Sequence, residues 1–264
     1  MINNNPFSGL AEFIPPIAMQ GFAIAMIALV AIGTLIDIIH KKNVKYFFEN
    51  AKKAKKSAKI ELSTTQRTSV IVKTVVHDIA TTAELGRGKR RVAHVLGMYG
   101  TIIFWVTSAL LIFSFPTAGS STPSTITAMW HAGAIITCLG GYWFWFFLRV
   151  DVLAEAHPWY RIIKADLFVL ALLACATFAL AWSYTQYSGM TKLSYLFLIL
   201  YIASNLILFG GVYWSKFAHM FYKPGAAIQK NLAEADGSRD NLPPLADAPK
   251  QFGLGIRREQ PKHY

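Results

Sequence analysis

The chain has 264 residues, of which 54% are hydrophobic and only 15% are charged, and its formal net charge is +12. Soluble domains carry about a quarter charged residues, so this composition excludes an ordinary soluble domain. The excess of positive charge raises the question of nucleic acid, but the placement of the charges along the chain argues against that partner.

The apolar residues fall in five long blocks with few charges. A helix needs roughly 20 apolar residues to cross a bilayer. Helices are favoured there because lipid offers no hydrogen-bond partners to exposed backbone groups. The sequence therefore predicts an all-α integral membrane protein with a five-helix transmembrane bundle, and its spans lie at about 17–39, 92–115, 127–148, 162–184 and 193–215.

The spans divide the chain into three parts. Residues 1–16 form a short outer leader, and the prolines at its end mark the start of the first helix. The five-span membrane domain covers 17–225 and includes a basic, water-facing segment at 41–91. The last predicted helix continues from 193 to 222. Residues 226–264 are polar and are predicted to be a tail with little fold of its own.

The lysines and arginines set the predicted orientation. Residues 40–92 hold 14 of the 26, and only Lys192 lies on the other side of the predicted bundle. Cytoplasmic loops carry such an excess of positive charge. We therefore predict a multi-pass protein of the cell inner membrane, with its N-terminus outside and its C-terminus in the cytoplasm. The lipid bilayer is then a partner, and nucleic acid is not.

The segment 41–91 is predicted to hold an amphipathic helix. Apolar residues recur there at spacings of one, three or four, from Val70 to Ala83. This pattern is typical of a helix that lies along the membrane or against a partner, and both alternatives stay open. The basic run Lys52–Lys56 is predicted to be a solvated face near anionic lipid headgroups.

Two histidines are predicted at the same face of the membrane. His94 lies one turn inside the second span and His219 lies at the far end of the fifth, and these two spans run in opposite directions. Two neutral imidazoles facing each other can bind haem iron axially. Gly97 and Gly100 leave space beside His94 for a neighbouring helix or a flat cofactor edge. Basic residues nearby could pair with the haem propionates: Arg87, Lys89, Arg90, Arg91 and Lys216.

The alternative is that both histidines are polar residues at the interface which reach toward the headgroups. His131 stands apart, because it lies near the outer end of the third span and no other histidine is close to it in the predicted topology. It could bind a second haem with a methionine such as Met19, hydrogen-bond a quinone carbonyl, or only cap the interface.

Residues 75–105 and 214–224 carry a family resemblance. The first contains Arg-Arg-Val-Ala-His-Val-Leu-Gly-Met-Tyr-Gly and the second reads Trp-Ser-Lys-Phe-Ala-His-Met-Phe-Tyr-Lys-Pro. They resemble the membrane cytochrome b subunits of respiratory complexes, namely the nitrate reductase gamma subunit and its quinone-interacting and heterodisulfide-reductase-like relatives. The resemblance implies haem b held by His94 and His219, and electron transfer between membrane quinone and soluble cytoplasmic flavin or iron–sulfur subunits in sulfur or nitrogen metabolism.

The chain departs from that family in two ways. The nitrate reductase subunit has two histidines on each of two helices, whereas here the matching helices carry only His94 and His219, which puts a second haem in doubt. The iron–sulfur domain fused to some relatives is also missing. A separate membrane subunit of this kind is similar to the one that accompanies dissimilatory adenylylsulfate reductase.

Two functions follow, and in neither would the chain catalyse a complete reaction by itself. The first is an electron-transfer subunit with haem b. The second is a haem-free structural anchor for a cytoplasmic oxidoreductase such as adenylylsulfate reductase. A small transporter is disfavoured, because the spans show little charge, no repeat and no pair of broken helices.

Overall fold

The computed structural model describes residues 1–85, 88–149, 160–215, 217 and 219–238. Every regular element within these residues is helical, which confirms the predicted fold class. Two π-helices interrupt the α-helical pattern, at Thr74–Ala80 and Phe144–Leu148. The α-helices, in chain order, are α1 (Pro6–Leu10), α2 (Pro16–Lys41), α3 (Asn43–Lys56), α4 (Thr64–Lys73), α5 (Lys89–Ser114), α6 (Ser124–Trp143), α7 (Leu167–Tyr187), α8 (Thr191–Gly210) and α9 (His219–Ala235).

Five helical segments are long and apolar enough to cross a membrane, in agreement with the predicted blocks. They are Pro16–Lys41, Lys89–Ser114, Ser124–Leu148, Lys164–Tyr187 and Thr191–Gly210. These segments alternate in direction, so the bundle has two ends. We call the end that carries Lys41, Lys89, Arg149 and Lys164 the basic end, and the other the α1 end.

Small residues bring α5 and α6 into close contact. An added Cβ at Gly133 would lie 2.7 Å from the backbone nitrogen of Phe104, and one at Gly140 would lie 2.5 Å from that of Gly97. The two backbones can approach this closely only because glycine has no side chain. Without a hydrophobic driving force between helices in lipid, such a seam supplies the van der Waals contact that holds them together.

The leader is more structured than predicted. The Asn5 side chain caps α1 by accepting hydrogen bonds from the first backbone N–H groups, and its amide donates to the Phe115 carbonyl at 2.8 Å. Phe7 is buried between the rings of Trp130 and Trp182, at centroid distances of 5.8 and 5.3 Å. Thus α1 closes one end of the bundle, although residues 1–16 show no span-like pattern.

At the basic end, an ion pair joins the third and fourth spans. The Arg149 guanidinium binds the Asp166 carboxylate, with its Nε donating to Oδ1 at 3.1 Å, and it lies 4.3 Å over the ring of Trp145. Both charged side chains are largely buried. Burial of such a pair is tolerated because each charge neutralises the other.

Beyond the bundle, α9 packs on α3, α4 and the π-helix Thr74–Ala80. The Asn231 amide donates to Thr74 at 2.9 Å and to Asp78 at 2.5 Å. We call α3, α4, this π-helix and α9 the platform. The prediction that the chain has little fold of its own from 226 onward is therefore wrong for 226–235.

The predicted continuous helix over 193–222 is also wrong. Helix α8 ends at Gly210, and backbone bonds from Trp214 and Ser215 to the Gly211 carbonyl form a turn. The Ser215 hydroxyl then accepts from the Phe217 backbone N–H at 3.2 Å. These bonds replace the helical pattern, so α9 is a separate helix that begins at His219.

Candidate functional site

His94 lies in the second turn of α5, at the basic end, and its side chain is exposed. Trp105 follows eleven residues later. That spacing is about three turns, so the two residues are about 16 Å apart along the axis and only about 20° apart around it. Both side chains therefore belong to the same side of α5.

At the level of Trp105 this side of α5 faces into the bundle. The Trp105 ring contacts the Phe209 ring at a centroid distance of 5.3 Å. It also stacks on the Phe217 ring at a centroid distance of 6.0 Å, and the planes of Trp105 and Phe217 are 14° apart. Phe217 is 2% exposed and also contacts Phe168 at the start of α7. His94 lies on the same side of α5, three turns closer to the basic end, and is exposed there.

The two glycines near His94 have different surroundings. An added Cβ at Gly100 would lie 2.6 Å from the backbone nitrogen of Thr137, so Gly100 serves helix packing. An added Cβ at Gly97 would meet nothing within 4 Å. Open space therefore lies one turn from the histidine. We call His94, Gly97, Trp105 and Phe217 the His94 face.

His219 is the first residue of α9, and only its backbone belongs to the described part of the chain. It lies two residues after Phe217, which is part of the His94 face. Because α9 belongs to the platform, His94 and His219 both lie at the basic end of the bundle.

These surroundings fit a haem. His94 offers an exposed imidazole and Gly97 leaves room for a flat edge one turn away, while the stacked rings of Trp105 and Phe217 lie about three turns from His94, deeper in the bundle. Two axial ligands suffice for a haem iron. The described residues contain no group of three or more histidine, cysteine or acidic side chains that could hold a bare metal ion.

The predicted propionate partners divide into three groups. Lys89 is exposed and Arg90 is half-buried, both in the first turn of α5. Arg91 instead donates to Thr81, from Nε to the backbone carbonyl and from Nη2 to the side-chain oxygen, each at 2.9 Å. Arg87 and Lys216 lie outside the described residues.

His131 lies toward the α1 end and is 1% exposed. Its Nδ1 is 2.8 Å from the Thr127 carbonyl and its Nε2 is 2.8 Å from the Ser183 hydroxyl. The imidazole thus joins α6 to α7 through both ring nitrogens. Binding of a haem iron or a quinone carbonyl would require Nε2 to leave Ser183.

A buried carboxylate near the basic end was not predicted as a site. Asp37 is 1% exposed in the last turns of α2 and forms an ion pair with Lys41. Tyr222, one turn after His219, donates its hydroxyl to Asp37 Oδ2 at 3.1 Å. Burial first, and then this hydrogen bond, raises the pKa of Tyr222 to about 12. The sequence signal that could have indicated this site is an aspartate inside an apolar span, because a carboxylate there needs a partner.

The basic end therefore brings together the His94 face, the Asp37–Tyr222 bond and the platform. No family model, no curated protein and no solved structure matches the chain. The resemblance to membrane cytochrome b subunits accordingly stays a prediction, carried by residues 75–105 and 214–224.

Proposed function

We propose that the chain is the membrane subunit of a redox complex of the cell inner membrane. It binds haem b at the His94 face and passes electrons between membrane quinone and a soluble cytoplasmic flavin or iron–sulfur protein, which it also anchors. The exposure of His94 on a side of α5 that faces the bundle carries this proposal. When bound, a haem supplies a carrier that gains and loses one electron reversibly.

In this proposal the residues around the haem hold and orient it. His94 and His219 would hold the haem iron through their imidazole nitrogens. The contact of Phe217 with Trp105 fixes the chain just before His219. The Asp37–Tyr222 bond fixes it one turn after. The start of α9 is thereby positioned from both sides.

The platform is the docking surface for the soluble partner. Lysines at 52, 53, 55 and 56 are exposed in the second half of α3. Positive charge held on a folded surface attracts an acidic partner and speeds its encounter, and salt weakens this attraction.

A haem-free anchor is the second candidate, and the architecture of the platform favours it. Its contacts run among α3, α4, the π-helix Thr74–Ala80 and α9, with Asn231 bonded to Thr74 and Asp78. None of these bonds uses a predicted haem ligand. A platform built in this way can hold an enzyme whether or not the membrane domain carries haem.

Docking is tested by purifying the tagged chain from its native membranes at increasing salt. The variant replaces Lys52, Lys53, Lys55 and Lys56 by glutamine, and Lys192→Gln, at the other end of the bundle, is the control. A flavin- or iron–sulfur-containing protein should accompany the wild type and the control. The variant should release it at lower salt.

Equal salt sensitivity in the variant and in the wild type would contradict docking through α3. A co-purifying protein that contains neither flavin nor an iron–sulfur cluster would contradict electron transfer to such a partner and leave the anchor of a different oxidoreductase. The optical spectrum of the captured protein distinguishes these outcomes, because flavins and iron–sulfur clusters both absorb visible light and a protein without them does not.

A further inference from the structure

A strip of exposed valines runs along the platform. Val72, Val75 and Val76 are 55%, 43% and 60% exposed, and their spacing of three and one puts them on one side of the helix. The other side carries Thr74 and Asp78, which bind Asn231 of α9. The valine strip therefore points away from the rest of the platform.

Two contacts fix the C-terminal end of this helix relative to α5. The Tyr99 hydroxyl donates to the Ala80 carbonyl at 2.8 Å, and the Arg91 guanidinium donates to Thr81. Arg91 and Tyr99 are eight residues apart, which is about 12 Å along the helix axis. Ala80 and Thr81 thus lie beside the first apolar turns of α5.

This is the depth of a membrane interface. The basic run at the start of α5 ends at Arg91, and Val92, the first apolar residue, is 51% exposed. Amphipathic helices that lie on a bilayer bury their apolar side about 5–10 Å into the boundary between headgroups and acyl chains. Because Val75 and Val76 lie only four or five residues before Ala80, which is held at this level, the bilayer is the favoured occupant of the strip.

We propose that α4 and the π-helix Thr74–Ala80 form an interfacial helix whose valine strip is inserted into the bilayer. This inference does not depend on haem or on a soluble partner. The inserted strip and the Tyr99–Ala80 bond together hold the platform against the membrane surface. The platform is then fixed in height relative to the His94 face.

The test uses the full chain in nanodiscs of phosphatidylcholine and phosphatidylglycerol. A nitroxide label is attached at Val72→Cys or Val76→Cys, in a background with Cys138→Ala and Cys175→Ala. Collision of the label with oxygen, which is enriched in lipid, is compared with collision with a water-soluble nickel chelate. Arg67→Cys is the matched control, because Arg67 is exposed and lies nine residues before Val76, roughly on the opposite side of the helix.

Labels at 72 and 76 should shift toward oxygen relative to the label at 67. Equal accessibility to the nickel chelate at all three positions would overturn the proposal. Shielding of 72 and 76 from both reagents would also overturn it, because another protein surface would then cover the strip.

A second measurement uses the chain with its native cysteines. In nanodiscs, Val76→Glu should speed amide hydrogen exchange in residues 74–80, because a carboxylate resists insertion, whereas Arg67→Glu should not. Unchanged exchange in Val76→Glu would contradict an inserted strip.

Discussion

Three histidines of this chain have three different environments. His131 is buried and uses both ring nitrogens within the protein. His77 is exposed on the platform, with Nδ1 at 2.8 Å from the Asp78 carboxylate. His94 is exposed on a side of α5 that faces the bundle. Its place beside Gly97, at the basic end and on the same side of α5 as Trp105, makes His94 the proposed haem ligand of the three.

Asp78 makes the platform sensitive to acid. Hydrogen bonds from His77 first and from Asn231 second lower the pKa of the Asp78 carboxyl below its ordinary value of 3.8. A carboxyl group whose pKa is lowered by folding stabilises the folded state at pH values above its ordinary pKa. This stabilisation is lost as the pH falls through the lowered pKa of the folded state. We expect the melting temperature of the wild type to fall more steeply below about pH 4 than that of Asp78→Asn.

The two melting curves are compared in one detergent between pH 3 and pH 7, because the other carboxylates titrate in both proteins and cancel in the difference. Parallel curves would contradict a lowered pKa of Asp78 in the folded protein.

At the scale of elements, the close packing of α5 on α6 depends on glycine, which has no side chain. A methyl group at Gly140 would lie 2.5 Å from the Gly97 nitrogen and 2.7 Å from the Ala93 carbonyl oxygen, and neither backbone atom can move without shifting its helix. We expect Gly140→Ala to lower the free energy of unfolding by about 1–3 kcal/mol, as overpacking does in other cores.

Gly97→Ala is the matched control, because it adds the same methyl group where nothing lies within 4 Å. It should leave the stability unchanged in unfolding experiments in mixed detergent micelles. A larger loss in Gly97→Ala than in Gly140→Ala would mean that the helices pack in a different register.

The spans could be predicted because a long apolar run has few alternatives in lipid. The end of α8 at Gly210 could not be predicted, because residues 211–222 remain largely apolar and aromatic. Hydropathy alone does not distinguish a turn from a helix in such a stretch. The packing of Phe7 between two tryptophans also escaped prediction, since short helices carry too little periodicity. The His94 face was predicted in part: its histidine and glycine were identified, but the docking of Phe217 depends on contacts between distant parts of the chain.

As a whole, the molecule has two unlike ends. At the α1 end, aromatic packing around Phe7 and the bonds of His131 close the bundle. At the basic end, the bundle carries an exposed histidine, a buried carboxylate and a folded platform. In our proposal the electron path and the docking surface meet at this end, and the valine strip holds them at one height.

The visible spectrum of the purified protein, reduced minus oxidised, tests the haem proposal most directly. It would be recorded for the wild type, His94→Ala and His219→Ala, with His77→Ala as a control that removes another exposed histidine of the basic end. We predict a b-type signal in the wild type and in His77→Ala, and its loss in the other two variants. A folded wild type without a b-type signal, or a signal that survives both substitutions, would contradict a haem held by His94 and His219.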